Sequence, residues 1–339
     1  MMSLSVGKLR GLQQISTPDG FILLAAMDHR GGLRKLLRPD HPEAVDDQQL
    51  VDFKMDLCRA LAPHASGVLL DPEFGAAQAI VTGSLPGHVG FLVALEKTGY
   101  SGGEQERRAE ILPGWSVEKV KRMGASGLKL LVYYHPDAPS AAAQRELVEQ
   151  VAEQCRRIDL LCVVEAISFP VDPGVSKSSP EFARTKADVV VRTAEDLTPL
   201  GMDVFKAEFP GDLRYEKDPE RLLEACRRLD RASQVPWVIL SEGVDYEDFA
   251  IEVEIAARAG ASGYMAGRAV WKVALAEKDR ARRRDILESV AAGNLAKLAL
   301  VARRFGRPWH EKARPALDAL ARQITPTWYA SYATDTSMK

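Results

Sequence analysis

Short apolar runs recur eight times along this chain, and most of them carry a charged side chain at or near the far end. They are Ile22 to Asp28, Gly67 to Asp71, Gly90 to Glu96, Gly127 to Tyr134, Leu160 to Glu165, Val204 to Pro210, Trp237 to Gly243 and Gly263 to Arg268. Nearly continuous apolar runs of this length mark strands buried on both faces, which is what a parallel sheet requires. Helical patterns fall between most of them, at about 48–63, 116–123, 139–158, 180–198, 218–231 and 246–259. Ser179-Pro180-Glu181 is a strong helix start, and Gly201 and Gly260 are stop signals. No pair of runs reads as a hairpin, and no GxGxxG follows the first strand. The pattern predicts an α/β chain folded as a single (β/α)8 TIM barrel rather than a doubly wound dinucleotide fold. An extra helix at 3–17 precedes the barrel, whose strands occupy about 22–268, and helices at about 280–304 and 311–322 follow it. One domain over 1–324 is expected, with a polar tail at 325–339 that is mobile or used in a contact between copies of a homo-oligomer.

A formal net charge of −2 on 339 residues gives no reason to expect nucleic acid or an anionic membrane as partner. Arg282-Arg283-Arg284, the longest basic run, reads as a solvated helix face. Cys58, Cys155, Cys162 and Cys226 show no CxxC spacing and fall in apolar contexts, as reduced, buried thiols of a cytoplasmic protein would. No apolar run approaches the roughly 20 residues needed to span a bilayer, and Met1 to Arg10 has no secretory pattern.

Active sites of such barrels gather at the C-terminal ends of the strands. The polar exceptions to the apolar runs fall there: Asp28, Asp71, Glu96, Lys129, Glu165, Lys206, Glu208, Ser241 and Arg268. Alternation puts Val204, Lys206 and Glu208 on one face of their strand. If that face lines the barrel, Lys206 loses solvation, its pKa falls, and the neutral amine can attack a ketone. A plainer reading makes it an edge lysine or the partner of Glu208. Glu165 occupies the preceding strand as Lys206 occupies the next, and a carboxylate there can shuttle protons for the amine. It could instead only neutralise Lys206 or Lys129. Lys129, if inward, would favour a neutral Lys206 by repulsion.

Ser241, Gly243, Gly267 and Arg268 stand where loops leave strands seven and eight, the usual phosphate corner of this fold. Glycines admit the phosphate to the backbone, and an arginine can bind it bidentately. Tight turns and an Arg268–carboxylate pair are the alternative. The six histidines show no HxH or HxxxH spacing, so no metal is expected.

Taken together, these segments resemble the tagatose-1,6-bisphosphate aldolase family of class I aldolases, to which sulfofructosephosphate aldolases are related. The resemblance is carried by Met27-Asp28-His29-Arg30-Gly31, Leu70-Asp71-Pro72-Glu73-Phe74-Gly75, Leu95-Glu96-Lys97-Thr98-Gly99-Tyr100, Val204-Phe205-Lys206-Ala207-Glu208-Phe209-Pro210 and Tyr264-Met265-Ala266-Gly267-Arg268, in order along about 22–272. It implies a metal-free lysine Schiff base as the only covalent device, with no cofactor, acting on a small sugar phosphate. Lys206 matches the imine-forming lysine and Glu165 the acid/base. Asp28 and Lys129 match groups that hold the sugar hydroxyls, and Arg30 a position near the far end of the open-chain sugar. Ser241, Gly243, Gly267 and Arg268 match the phosphate site nearest the ketone. Two residues depart from the pattern. His29 replaces a usual glutamine, which implies an altered or pH-dependent hydrogen bond in the binding site. Glu242 replaces a small residue, so that it must face away from the phosphate or the substrate must differ.

Overall fold

The computed structural model describes residues 3–332. Met1, Met2 and the 333–339 portion of the expected tail lie outside the described residues.

Eight strands close into one parallel barrel in sequence order, the eighth pairing with the first. They are β1 Ile22–Ala26, β2 Gly67–Leu70, β3 Gly90–Ala94, β4 Gly127–Tyr133, β5 Leu161–Ile167, β6 Val204–Ala207, β7 Trp237–Leu240 and β8 Gly263–Ala266. Alternation sorts each strand: Leu24, Leu69, Leu92, Val163, Val204, Val238 and Met265 fill the barrel interior, while Leu23, Val68, Val93, Leu128, Val164, Phe205 and Ile239 pack outward under the helices.

The outer layer contains helices where periodicity and caps place them. Ser179 caps Pro180–Leu197 by accepting from the Phe182 N–H, and Gly201, at φ +98°, ends the turn after it. Two short helices, Gly31–Leu37 and Ala76–Val81, stand in segments that carry too few apolar repeats to announce themselves.

The first helix, Val6–Gln14, closes the N-terminal mouth of the barrel. Leu12 and Ile15 join the interior cluster, and Trp309, from the C-terminal segment, joins them. Contact there is so close that a Cβ on Gly90 would lie 2.1 Å from the Gln14 carbonyl oxygen, so β3 starts with the one residue that fits. Plugging this end leaves the opposite one, where the strands finish, as the barrel's open mouth.

One sequence expectation is corrected, and the start of the expected tail can be described. Of the basic run, Arg284 donates through Nε to the buried Asp56 carboxylate at 2.8 Å and Arg283 lies over the Phe53 ring at 5.4 Å, so this is not simply a solvated face. The expected tail begins with a turn at Trp328–Ser331, after which the Tyr332 hydroxyl donates to Asp159. The four cysteines are free and buried. Among the described residues, no helix is long and apolar enough to cross a membrane.

Candidate active site

A cavity of about 460 Å3 opens at the C-terminal ends of the strands. Its floor is a charged cluster built by strand register. Glu165 and Lys206 are direct partners across the β5–β6 pairing, so their side chains leave the sheet side by side on the inner face. Lys206 Nζ donates to Glu165 Oε2 at 2.8 Å. Lys129 also points inward from β4, with Nζ 2.7 Å from Asp28, 2.6 Å from Glu96 and 3.2 Å from Glu165.

All of these groups have lost most of their water, and charge decides their ionisation. Burial opposes the Lys129 ammonium, but Asp28, Glu96 and Glu165 outweigh it and hold its pKa well above the usual lysine value. Burial likewise pushes the Asp28 and Glu165 carboxyls up. For Asp28 the Lys129 charge overrides burial, and for Glu165 the charges of Lys206 and Lys129 do so, leaving both acids below the ordinary range. The cluster therefore presents carboxylates around two buried amines.

Across the cavity, the loops after β7 and β8 form a second corner. Ser241 Oγ accepts from the Gly267 N–H at 3.2 Å, which leaves the hydroxyl proton free to point elsewhere. Gly243 has φ +87°, and a Cβ there would lie 2.9 Å from the Arg268 guanidinium, so glycine is required both by the turn and by the arginine. Arg268 has no carboxylate within ion-pair distance among the described residues, and its Nε is buried without a hydrogen-bond partner. An arginine placed this way on a cavity wall has the charge and the free donors that binding an anion requires.

The sequence matches the family described as DeoC/LacD family aldolase over residues 22–273, the whole barrel. The chain belongs to the DeoC/LacD aldolases. This aldolase is 32% identical to tagatose 1,6-diphosphate aldolase 2 of Streptococcus mutans, in an alignment covering 92% of this chain and 99% of the relative. It is 30% identical to tagatose 1,6-diphosphate aldolase 2 of Enterococcus faecalis, covering 93% and 99%. In fold it is similar to a Schiff-base-forming fructose-1,6-bisphosphate aldolase, with a TM-score of 0.57 at 22% identity over 86% of this chain and 98% of that one. It is also similar to fructose-bisphosphate aldolase from Plasmodium falciparum, with a TM-score of 0.67 at 14% identity over 90% and 97%.

The structure brings Asp28, His29, Arg30, Lys129, Glu165, Lys206, Ser241, Gly243, Gly267 and Arg268 to the one cavity of the aldolase. Some of them sit differently from the sequence expectation. Lys206 is not paired with Glu208; its partner is Glu165. Glu208 lies beyond the end of β6 and turns away, accepting from the Ser168 N–H at 2.9 Å and from Lys177. Asp71 also leaves the site: it pairs with the buried Lys54 and takes the Phe74 N–H at 2.8 Å, anchoring the loop after β2. Gly267 lines the cavity and gives its N–H to Ser241, so it orients the serine at this corner.

Arg30 lines the cavity, but its guanidinium is held by Glu73 at 2.9 Å and by the Glu96 carbonyl at 2.7 Å. His29 packs edge-on to Trp271 with ring centres 5.4 Å apart. Burial lowers its pKa to about 4, and Arg268, Lys54 and Lys206 oppose the charged form further, against the pull of Asp28. The imidazole is thus neutral through the physiological range, and the expected pH-dependent role near neutrality does not fit it.

Two lysines escaped the sequence reading. Lys177, in the loop after β5, reaches Glu208 and lies 2.7 Å from Glu242; Lys186 lies 2.8 Å from the other Glu242 oxygen. Lys186 had a detectable signal, because it interrupts the buried stripe Phe182, Val189, Val190 of its helix. Lys177 had none beyond its place in a long polar loop. Together they answer the Glu242 expectation: its carboxylate lines the cavity wall but is matched by two ammoniums.

Proposed function

We propose that this protein is a metal-independent class I aldolase that cleaves a ketose 1,6-bisphosphate, tagatose 1,6-bisphosphate, reversibly to dihydroxyacetone phosphate and glyceraldehyde 3-phosphate. Residues 1–324 would act as one catalytic unit of a cytoplasmic homo-oligomer. The observation that carries the reading is the Lys206–Glu165 contact of 2.8 Å on the floor of a cavity large enough for an open-chain sugar.

In this reading Glu165 takes a proton from the Lys206 ammonium, and the free amine adds to C2 of the ketose. Glu165 returns the proton to the carbinolamine oxygen, water leaves, and an iminium forms. A base removes the C4 hydroxyl proton, the C3–C4 bond breaks, and its electron pair moves to C3 and into the iminium. The aldehyde phosphate departs. The enamine is then protonated at C3, and hydrolysis releases dihydroxyacetone phosphate and Lys206. Asp28 and Lys129 would hold the sugar hydroxyls, and Ser241 and Arg268 the phosphate next to the ketone. The two tagatose 1,6-diphosphate aldolases at 30–32% identity support the substrate assignment.

A second reading keeps the chemistry but places a sulfonate at the far end, as in 6-deoxy-6-sulfofructose 1-phosphate. It is favoured by Arg30, whose guanidinium is already shared between Glu73 and Glu96 and so has less charge to offer a dianion. Trapping with dihydroxyacetone phosphate and borohydride, followed by peptide mapping, tests the mechanism: the adduct is expected on Lys206, and an adduct on Lys129 overturns the assignment. Turnover of tagatose and fructose bisphosphates and of the sulfosugar phosphate decides the substrate.

A further inference from the structure

The loop after β7 carries an unusual acid. Glu242 adopts φ +44°, a backbone conformation that side-chain-bearing residues seldom take, and Gly243 follows at φ +87°. Two lysines converge on its carboxylate, Lys177 on one oxygen at 2.7 Å and Lys186 on the other at 2.8 Å. Lys177 comes from the loop after β5 and Lys186 from the helix behind it, so three segments are tied together at one carboxylate. Lys177 is also bound by Glu208, but burial and the Glu242 charge push the Glu208 carboxyl up, so Glu242 is the firmly ionised acid that both lysines share. Glu242 and Lys177 both face the cavity that holds Arg268. The carboxylate is ionised: burial pushes it up, but Lys186 and Lys177 hold it well below the usual range.

This geometry has an electrostatic consequence for the corner built from Ser241 and Arg268. Were the Glu242 position neutral, Lys177 and Lys186 would add positive potential next to Arg268. With the carboxylate present, that potential is cancelled locally and an incoming anion meets one guanidinium. The energy of an anion in a given potential scales with its charge, so cancellation costs a dianion twice what it costs a monoanion.

We propose that Glu242 is a specificity-determining residue of the aldolase, an internal counter-ion that occupies Lys177 and Lys186 and reduces the preference of the anion corner for dianions over monoanions. The inference rests on the reading of Ser241 and Arg268 as the site of an anionic substrate group. It does not depend on which sugar is cleaved or on Schiff-base chemistry.

The test is calorimetric titration of the full chain with inorganic phosphate, a dianion at pH 8, and with methanesulfonate, a monoanion. Glu242→Gln is expected to tighten phosphate about tenfold and methanesulfonate only about threefold, the square root of that factor. Glu242→Gly, which suits the positive φ and cannot fail for backbone reasons, should do the same. Adding Lys177→Met to Glu242→Gln should reverse part of the phosphate gain. Unchanged affinities in both variants, an equal factor for both anions, or no phosphate binding to any variant would overturn the inference. Arg268→Met separates its failure from that of the underlying site: if phosphate binds the natural chain equally well without Arg268, the anion corner itself is misassigned.

Discussion

Lys129 Nζ stands 3.2 Å from Glu165 Oε2, the same oxygen that accepts the Lys206 hydrogen bond at 2.8 Å. One carboxylate oxygen is therefore shared by two lysine nitrogens, and in the proposed mechanism a proton passed from Lys206 is accepted against the pull of the Lys129 charge.

The first prediction follows from that arrangement. Lys129→Met should raise the pKa of Glu165 by removing one of the two charges that depress it. The acid limb of the kcat/KM profile should move to higher pH, because Glu165 then becomes protonated sooner as pH falls. In the proposed mechanism Glu165→Gln removes the proton acceptor altogether, and it should lower kcat by about 10²–10⁴-fold. Both variants are checked by pH-dependent kinetics alongside the rate of borohydride trapping. A Lys129→Met profile displaced to lower pH would contradict the electrostatic account.

A second prediction concerns the anion corner. Arg268→Met should raise KM for the phosphorylated ketose about 10–100-fold with a smaller effect on kcat, the mark of a group that binds substrate and transition state alike. Gly243→Ala should mimic part of this, since its Cβ would press on the Arg268 guanidinium at 2.9 Å while the backbone is forced to φ +87°. Steady-state kinetics on the two variants checks both, and a Gly243→Ala enzyme with natural KM would show that Arg268 moves away freely.

How much of this was visible in the sequence differs from residue to residue. Lys206, Glu165 and Lys129 stood out because strands buried on both faces tolerate few polar side chains, and period-two alternation then places the exceptions inside the barrel. Asp71 and Glu208 showed the same pattern yet serve loops, because their partners, Lys54 and Ser168 with Lys177, come from segments whose approach no strand periodicity encodes. The Arg30 clamp and the Lys177–Glu242–Lys186 bridge were hidden for the same reason: each joins elements far apart in the chain. The barrel itself was legible, whereas short helices such as Ala76–Val81 were not, since six residues hold too few turns to reveal a period.

His29 supplies a third prediction. Its folded pKa of about 4 lies below the ordinary 6.5, so between those values the unfolded chain binds a proton that the folded chain refuses. Its contribution to stability is full above about pH 6.5 and is lost as pH falls through 4, about 2 kcal/mol of it by pH 5. His29→Gln should therefore flatten the fall in stability between pH 7 and 5, measured by denaturant titration. It should leave no altered limb near pH 6.5 in the rate profile, because the imidazole does not titrate there.

Glu252 is predicted to act in the opposite sense. It is buried on the helix Tyr246–Arg258, and burial, with Glu242, Asp248 and Asp212 adding repulsion against the attraction of Lys186, raises its pKa from 4.5 to about 8. Between these values the folded chain keeps a proton that the unfolded chain gives up. Stability from this group is accordingly full below about pH 4.5 and is lost as pH rises through 8, on the order of 3 kcal/mol between pH 5 and pH 8. Glu252→Gln carries a neutral amide of nearly the same shape and cannot ionise. Relative to the natural chain it should gain stability as pH rises from 5 to 8, in the window where His29→Gln gives no benefit at the alkaline end. Denaturant titrations at pH 5, 6.5 and 8 measure this. A difference between variant and natural chain that stays constant across the three would show that Glu252 keeps an ordinary pKa, and the buried acid would then have to be ionised by Lys186 in spite of its acidic neighbours.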